Sequence, residues 1–251
     1  MSSTDDAAAP LALITGGARG IGRGIVHYLS QHGWQVIAAD KDADALQGLA
    51  QDSFPTRVDT ILLDVSDEKE VGRVFESIAK EQAAGRGLKL LVNNAGLADP
   101  VCGPLEELSL SDWQRWQDSH LTGAFLMTRA ALPLLRRAKG SIVNMASTRA
   151  IMSEPHTESY AAAKGALVAF THALAISYGP EVRANAVLPG WIETGSRDEL
   201  GRADHEQHPA GRVGAPEDIA RAVHYLATAG FVTGQTLIAD GGMTRKMIYV
   251  E

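Results

Sequence analysis

The chain has 251 residues, 45% of them hydrophobic and 21% charged, and a formal net charge of −7. That composition sits among globular proteins and away from the disordered, collagen-like and coiled-coil extremes, and its acidic balance argues against nucleic acid or an anionic membrane surface as the main partner. The one cysteine, Cys102, has no second thiol for an intrachain disulfide or a cysteine-based zinc site, which fits a reducing cytoplasm.

The start, MSSTDDAAAP, carries two acidic residues and no Lys or Arg, so it lacks the features of a secretory leader. Residues 1–9 read as a flexible tail and 10–251 as a single domain, because no linker or composition break divides the rest. Nowhere does the chain run for the roughly 18 uncharged apolar residues that a membrane-spanning helix needs.

From Leu11 onward a short apolar run, a turn and a stretch of helical periodicity alternate almost to the end. This pattern predicts an α/β fold, a parallel sheet covered by helices. The expected strands cover 11–15, 34–40, 57–64, 88–94, 141–147, 182–189 and 236–240. The expected helices cover about 20–32, 42–51, 67–83, 111–137, 157–179 and 216–227. Ser66 before DEKE reads as a helix cap, and Gly179 with Pro180 as a helix stop. Residues 191–211 show neither period, and so long an irregular stretch marks a lid or a disordered segment.

The first strand runs into TGGARGIG (15–22), spaced G-x-x-x-G-x-G. A glycine-rich turn between strand one and a helix lets backbone approach a pyrophosphate while the helix N-terminus faces its charge. Gly16, Gly20 and Gly22 carry this assignment, and Arg19 and Ile21 of the same turn join them as cofactor-binding residues. Asp40 ends the second strand, where a carboxylate accepts from an adenosine ribose and repels a 2′-phosphate. It favours NAD over NADP, with Arg19 and Lys41 near enough in sequence to offset part of that repulsion.

Tyr160 and Lys164 stand four apart in a helical stretch and so share a face, with β-carbons about 5–6 Å apart. A tyrosine hydroxyl titrates near 10, and a neighbouring ammonium favours its ionised form. Ser147 lies at the carboxyl end of the fifth strand, the sheet edge where open α/β folds bind ligands, and its hydroxyl can orient a substrate oxygen. A nucleophilic serine hydrolase competes with this reading, but Ser147 is not in a G-x-S-x-G elbow.

With TGGARGIG, Asp64 and Val65 after strand three, NNAG (93–96), Ser147, YAAAK (160–164), PGWIET (189–194) and FVTGQTLIADGG (231–242) in this order, the chain resembles the short-chain dehydrogenase/reductases over nearly its whole length. The resemblance implies a Rossmann-like, doubly wound parallel sheet of about seven strands with helices on both faces. It implies Tyr160 as catalytic acid/base, Lys164 as the residue that lowers its pKa and binds the nicotinamide ribose, and Ser147 as the substrate-positioning residue. It also implies Asp64 and Val65 at the adenine, Asn93 and Ala95 along the cofactor cleft, and Ile192 and Thr194 at the carboxamide. A homotetramer joined through the helices at 111–137 and 157–179 follows from the same likeness.

One position departs from that pattern. The segment 119–133 has His120 where the family usually has an asparagine that kinks the helix and holds a proton-relaying water. Either the imidazole exchanges protons near neutral pH or it fills space.

The resulting expectation is an NAD(H)-dependent oxidoreductase acting on a secondary alcohol or its ketone, with no metal. A non-catalytic cofactor-binding regulator fits the retained Ser147, Tyr160 and Lys164 poorly, and an epimerase or dehydratase would want a larger substrate region than 191–211. Residues 97–109, 148–156 and 191–211 should shape the pocket, and Arg149, Glu154, His156, Trp191 and Arg197 within them suggest a partly polar substrate such as a sugar, polyol or hydroxy acid.

Overall fold

The computed structural model describes residues 9–81, 87–195 and 200–247. Residues 1–8 of the expected tail, 82–83 of the third expected helix, and Arg197 lie outside the described residues.

Seven strands form one sheet: β1 (Leu11–Thr15), β2 (Gln35–Asp40), β3 (Val58–Leu62), β4 (Leu90–Asn93), β5 (Ser141–Met145), β6 (Arg183–Pro189) and β7 (Thr236–Ala239). Their order is β3-β2-β1-β4-β5-β6-β7, and every pairing is parallel. The helices are α1 (Gly20–Gln31), α2 (Ala43–Leu49), α3 (Glu68–Glu81), α4 (Leu110–Gln117), α5 (Gly123–Ala138), α6 (Glu158–Tyr178), α7 (Arg202–Glu206) and α8 (Pro216–Thr228).

Alternation along the strands divides the core in two. Ala12, Ile14, Val36, Ala38, Leu90, Val92 and Val143 face α1 and α8, whose Ile25, Val26, Leu29, Ile219 and Val223 are fully buried. Leu11, Leu13, Ile37, Ala39, Leu91 and Ile142 face α3, α5 and α6, packing on Val71, Phe75, Met127, Leu135 and Leu174. Burying each large side chain contributes about 1.5–3 kcal/mol, so both faces hold the sheet. The sheet is doubly wound, and the order in which strands are added reverses between β1 and β4, which opens a crevice at their carboxyl ends.

Several boundaries differ from the sequence reading for local physical reasons. Asp67, not Ser66, caps α3: its carboxylate accepts from Lys69 N at 2.8 Å and Glu70 N at 3.0 Å, while Ser66 turns back to Asp64. The expected helix 111–137 is three pieces, because a π-turn over Asp118–Thr122 separates α4 from α5, with Gly123 N–H bonded to the Asp118 carbonyl five residues back. The irregular stretch 191–211 contains α7, started by Asp204 accepting from Gly201 N at 2.9 Å. No described helix is long and apolar enough to cross a membrane.

Candidate active site

The carboxyl ends of β1 and β4 meet at the point of reversal. Asn94 donates through Nδ2 to the Thr15 carbonyl at 3.0 Å and the Gly16 carbonyl at 3.1 Å. The Thr15 hydroxyl accepts from Asn94 N at 2.9 Å and Ala95 N at 3.0 Å while donating to the Val92 carbonyl at 3.2 Å. This stitching brings the glycine turn against the next strand's exit. A Cβ on Gly22 would stand 1.9 Å from the Gly16 carbonyl oxygen, so no larger residue fits. Gly20 has φ +51 and faces Thr194, whose methyl would lie 3.3 Å from an added Cβ.

Arg19 precedes α1 with extended backbone, and no side chain caps the first turn of the helix. Amide groups so left are the donors that hold a phosphate at a helix start. Ile21 is half-buried against the α1 side of the core. The turn, its uncapped amides and the opposing Thr194 fit a dinucleotide pyrophosphate.

Asp40 closes β2 beside this turn. Its Oδ2 accepts from Ala18 N at 3.1 Å and its Oδ1 from Asp42 N at 3.1 Å. Arg19 is ion-paired with Asp42, so its charge is partly answered rather than free to offset Asp40. Asp64 lies two residues beyond β3. Partial burial works to raise its carboxyl, but two hydrogen bonds from Ser66 and the charge of Lys41 outweigh that and hold it below the usual range. Val65 is buried at the start of α5, where a Cβ on Gly123 would lie 2.6 Å from its methyl.

Asn93 points its side chain into the protein. Its Nδ2 donates to Asn144 Oδ1 at 2.8 Å and to the Thr128 hydroxyl at 3.1 Å, and Asn144 in turn donates to Thr171 at 2.9 Å. Only its backbone is left to face the cleft, next to Asn94 and Ala95. Ile192 bridges to Gly214, carrying Thr194 across to Gly20. A cleft of about 540 Å³ touches this region at Gly20 and Thr194 but otherwise runs outside α1, past His27, Tyr28 and Pro216.

The candidate reaction centre lies at the end of β5 and the first turns of α6. Ser147 stands two residues beyond β5, not on it, because the chain leaves the sheet after Met145 to form a short turn at Thr148–Ala150. Its Oγ accepts from Arg149 N at 3.2 Å, which leaves its own proton available to donate. Lys164 is fully buried, with Nζ donating to the Met145 carbonyl at 2.8 Å and lying 5.4 Å from the centre of the Tyr160 ring. Burial lowers this ammonium to about 7.

Burial raises the Tyr160 hydroxyl, and a hydrogen bond with Ser147 and the charge of Arg149 pull it partway back. Lys164, to which the sequence assigns such a lowering, lies 5.4 Å from the ring centre and is itself shifted down by burial.

His120 occupies the π-turn and is 3% exposed. Its ring stands edge-on to Tyr160 at 5.2 Å and nearly parallel to Trp116 at 6.0 Å. A Cβ on Gly96 would come within 2.2 Å of it, so that glycine makes room for the imidazole. Neither ring nitrogen makes a well-aligned hydrogen bond among the described residues, although a backbone group of Leu97 lies close enough to favour the charged form. Burial first and the Lys164 charge second push its pKa down to about 2. Burial therefore favours the neutral imidazole, which speaks for the space-filling reading of this position.

The fold thus brings Ser147, Tyr160, Lys164 and His120 together, with the nucleotide turn and Asp40 along the same sheet edge. Three contributors escaped sequence reasoning: Asn94 and Thr15, which lock the turn, and Trp116, whose ring meets Tyr160 at 6.0 Å nearly perpendicular. Asn94 lay inside the quoted NNAG and carried a signal. Trp116 carried none beyond being an aromatic residue on a helix.

A family model described as enoyl-(acyl carrier protein) reductase matches residues 16–244. An uncharacterized oxidoreductase of Thermotoga maritima is 40% identical, covering 96% of this chain and 98% of the relative. The 3-oxoacyl-(acyl-carrier-protein) reductase of the same organism is 34% identical over 93% and 97%, and the L-fucose dehydrogenase of Bos taurus 34% over 94% and 89%. Among solved structures, an apo SCOR enzyme from Clostridium thermocellum superposes with a TM-score of 0.85 at 35% identity, covering 96% of this chain and 95% of that one. ElxO with NADP bound superposes at 0.84 with 26% identity, covering 95% and 100%.

Proposed function

The chain belongs to the short-chain dehydrogenase/reductase family of oxidoreductases, and from that premise we propose that it interconverts a secondary alcohol and its ketone with NAD(H). The observation that carries this reading is the convergence of the Ser147 and Tyr160 hydroxyls over the buried Lys164, at the carboxyl edge of the sheet beside the glycine turn.

A nicotinamide held here would supply the hydride acceptor and donor for the alcohol–ketone pair. The protein's own residues handle the oxygen and its proton. Ser147, whose Oγ already accepts from Arg149 N, donates its proton to the substrate oxygen and fixes its direction. Tyr160 exchanges the substrate proton through its hydroxyl. Lys164 would hold the nicotinamide ribose, and its ammonium, lowered by burial to about 7, suits proton exchange near neutral pH.

Asp40 supports NAD, since a 2′-phosphate beside its carboxylate would meet like charge, which Arg19, paired with Asp42, and Lys41 offset only in part. Glycines 16, 20 and 22 with Arg19, Ile21 and Thr194 would take the pyrophosphate and carboxamide side, and Asp64 and Val65 the adenine. Exposed Phe125 on α5 and Ile176 on α6 support a homotetramer joined through these helices. The test is a screen of alcohols, polyols, sugars and hydroxy acids with NAD and NADP in parallel, with Tyr160→Phe as the blank. Turnover with NAD that disappears in the variant supports the reading, and nucleotide binding without turnover of anything in the screen counts against it.

A further inference from the structure

Arg149 is an unusual residue to find beside a tyrosine that must give and take a proton. It follows Ser147 by two positions, donates its backbone N–H to the Ser147 oxygen, and its positive charge reaches the Tyr160 hydroxyl. Its side chain is only 18% exposed, although residues 151–156 just beyond it are all exposed. An arginine cannot shed its charge on burial, so a partly buried guanidinium needs an anion.

In the described protein that anion is Glu154, with Oε1 2.6 Å from Nη2. The two partners are held differently. The Glu154 side chain is 65% exposed, while the backbone around it is fixed by Thr157 Oγ1 donating to the Glu154 carbonyl at 2.8 Å and by Cys102 N donating to the His156 carbonyl at 2.7 Å. The carboxylate can therefore swing into solvent without the loop moving. The cation cannot leave in the same way.

We propose that Arg149 is the specificity-determining residue of this site and that the substrate carries a carboxylate, which displaces Glu154 and pairs with the guanidinium while its carbonyl or hydroxyl oxygen lies at Ser147 and Tyr160. The inference deepens the oxidoreductase reading and rests on it for the position of that oxygen. Glu154 is then a stand-in that neutralises Arg149 when no substrate is bound. It also screens against neutral substrates, which displace it without replacing its charge. The planar fork of arginine suits a carboxylate particularly well, and in a chain of net charge −7 the attraction for an anion has to be local.

The test compares pyruvate, acetoacetate and levulinate with their methyl esters in the reducing direction, using wild type, Arg149→Met and Glu154→Gln. At least one acid should exceed its ester in kcat/KM by about tenfold or more in wild type. Arg149→Met should bring that ratio toward one. Glu154→Gln, a change on an exposed loop, should lower KM for the acid several-fold and widen the ratio, which a purely structural ion pair would not do. Acid and ester used equally by wild type, or an acid KM that does not fall in Glu154→Gln, would overturn the assignment.

Calorimetric binding of the same acids and esters to nucleotide-loaded Tyr160→Phe, with and without the two changes, separates this inference from the one beneath it. Acid-selective binding that depends on Arg149, with no turnover by wild type of any acid, ester or alcohol, sinks the oxidoreductase reading and leaves Arg149 as an anion site. Turnover without acid preference does the reverse. Absence of both removes both.

Discussion

The glycine turn after β1 and the reaction centre after β5 share one sheet edge, yet they are held by different physics. At the turn the geometry belongs to the backbone: Asn94 and Thr15 tie two strand exits together, and Gly22 is packed so closely on the Gly16 carbonyl that a methyl group has no place. At the reaction centre it belongs to burial of groups that titrate. Lys164 and His120 are pushed down and Tyr160 up, chiefly because water is excluded around them. Changes at the turn should therefore act by shape on nucleotide binding, and changes at the centre by ionisation on turnover.

The largest expected effect comes from Tyr160→Phe, which removes the proposed proton carrier without altering the turn. It should cut kcat by about 10²–10⁴-fold while leaving the NADH dissociation constant, read by fluorescence, within about twofold. Joint loss of both would break the division. Gly22→Ala should invert the pattern: the added methyl meets the Gly16 oxygen at 1.9 Å, so nucleotide affinity should fall by about tenfold or more, with stability down by about 1–3 kcal/mol in a denaturant titration.

Asp40→Ala sharpens the same side through charge. Removing the carboxylate should improve NADPH relative to NADH by about tenfold, read as the ratio of kcat/KM for the two nucleotides. A ratio that stays put would place the selectivity elsewhere.

Smaller effects test the centre. In the nucleotide-free protein Lys164 has its pKa lowered from 10.5 to about 7. Between these values the unfolded chain holds a proton that the folded chain does not, so raising the pH from 7 towards 10 stabilises the fold, by up to about 1.4 kcal/mol per pH unit for one proton. Melting curves of wild type should gain on Lys164→Met across that window. A parallel pair of curves would mean that the ammonium is not desolvated. The smallest effect belongs to His120: with a pKa pushed to about 2, it contributes no inflection to turnover between pH 5 and 9, so His120→Asn should leave the shape of that profile unchanged.

The same division explains what could be read from the sequence. Strand positions, sheet direction and the glycine turn were legible because they follow from short-range patterns, apolar runs and glycine spacing. The π-turn at Asp118–Thr122 was not, since its residues keep helical periodicity and the one-residue surplus shows only in the hydrogen bonds. The α3 cap moved from Ser66 to Asp67 because both can cap, and Ser66 is taken by Asp64. The pairing of Tyr160 with Lys164 on one helix face and the place of Ser147 after β5 could be read from type and spacing. Their ionisation could not, because it depends on burial and, at Tyr160, on Ser147 and Arg149.

The measurement that tests the central claim most directly is single-turnover transfer of deuterium from C4-deuterated NADH to a ketone, followed by mass spectrometry in wild type and Tyr160→Phe. The account predicts label on the carbinol carbon in wild type, and NADH bound with transfer slowed at least a hundredfold in the variant. Bound NADH with no label in any product, or a Tyr160→Phe variant that transfers label at the wild-type rate, would contradict it.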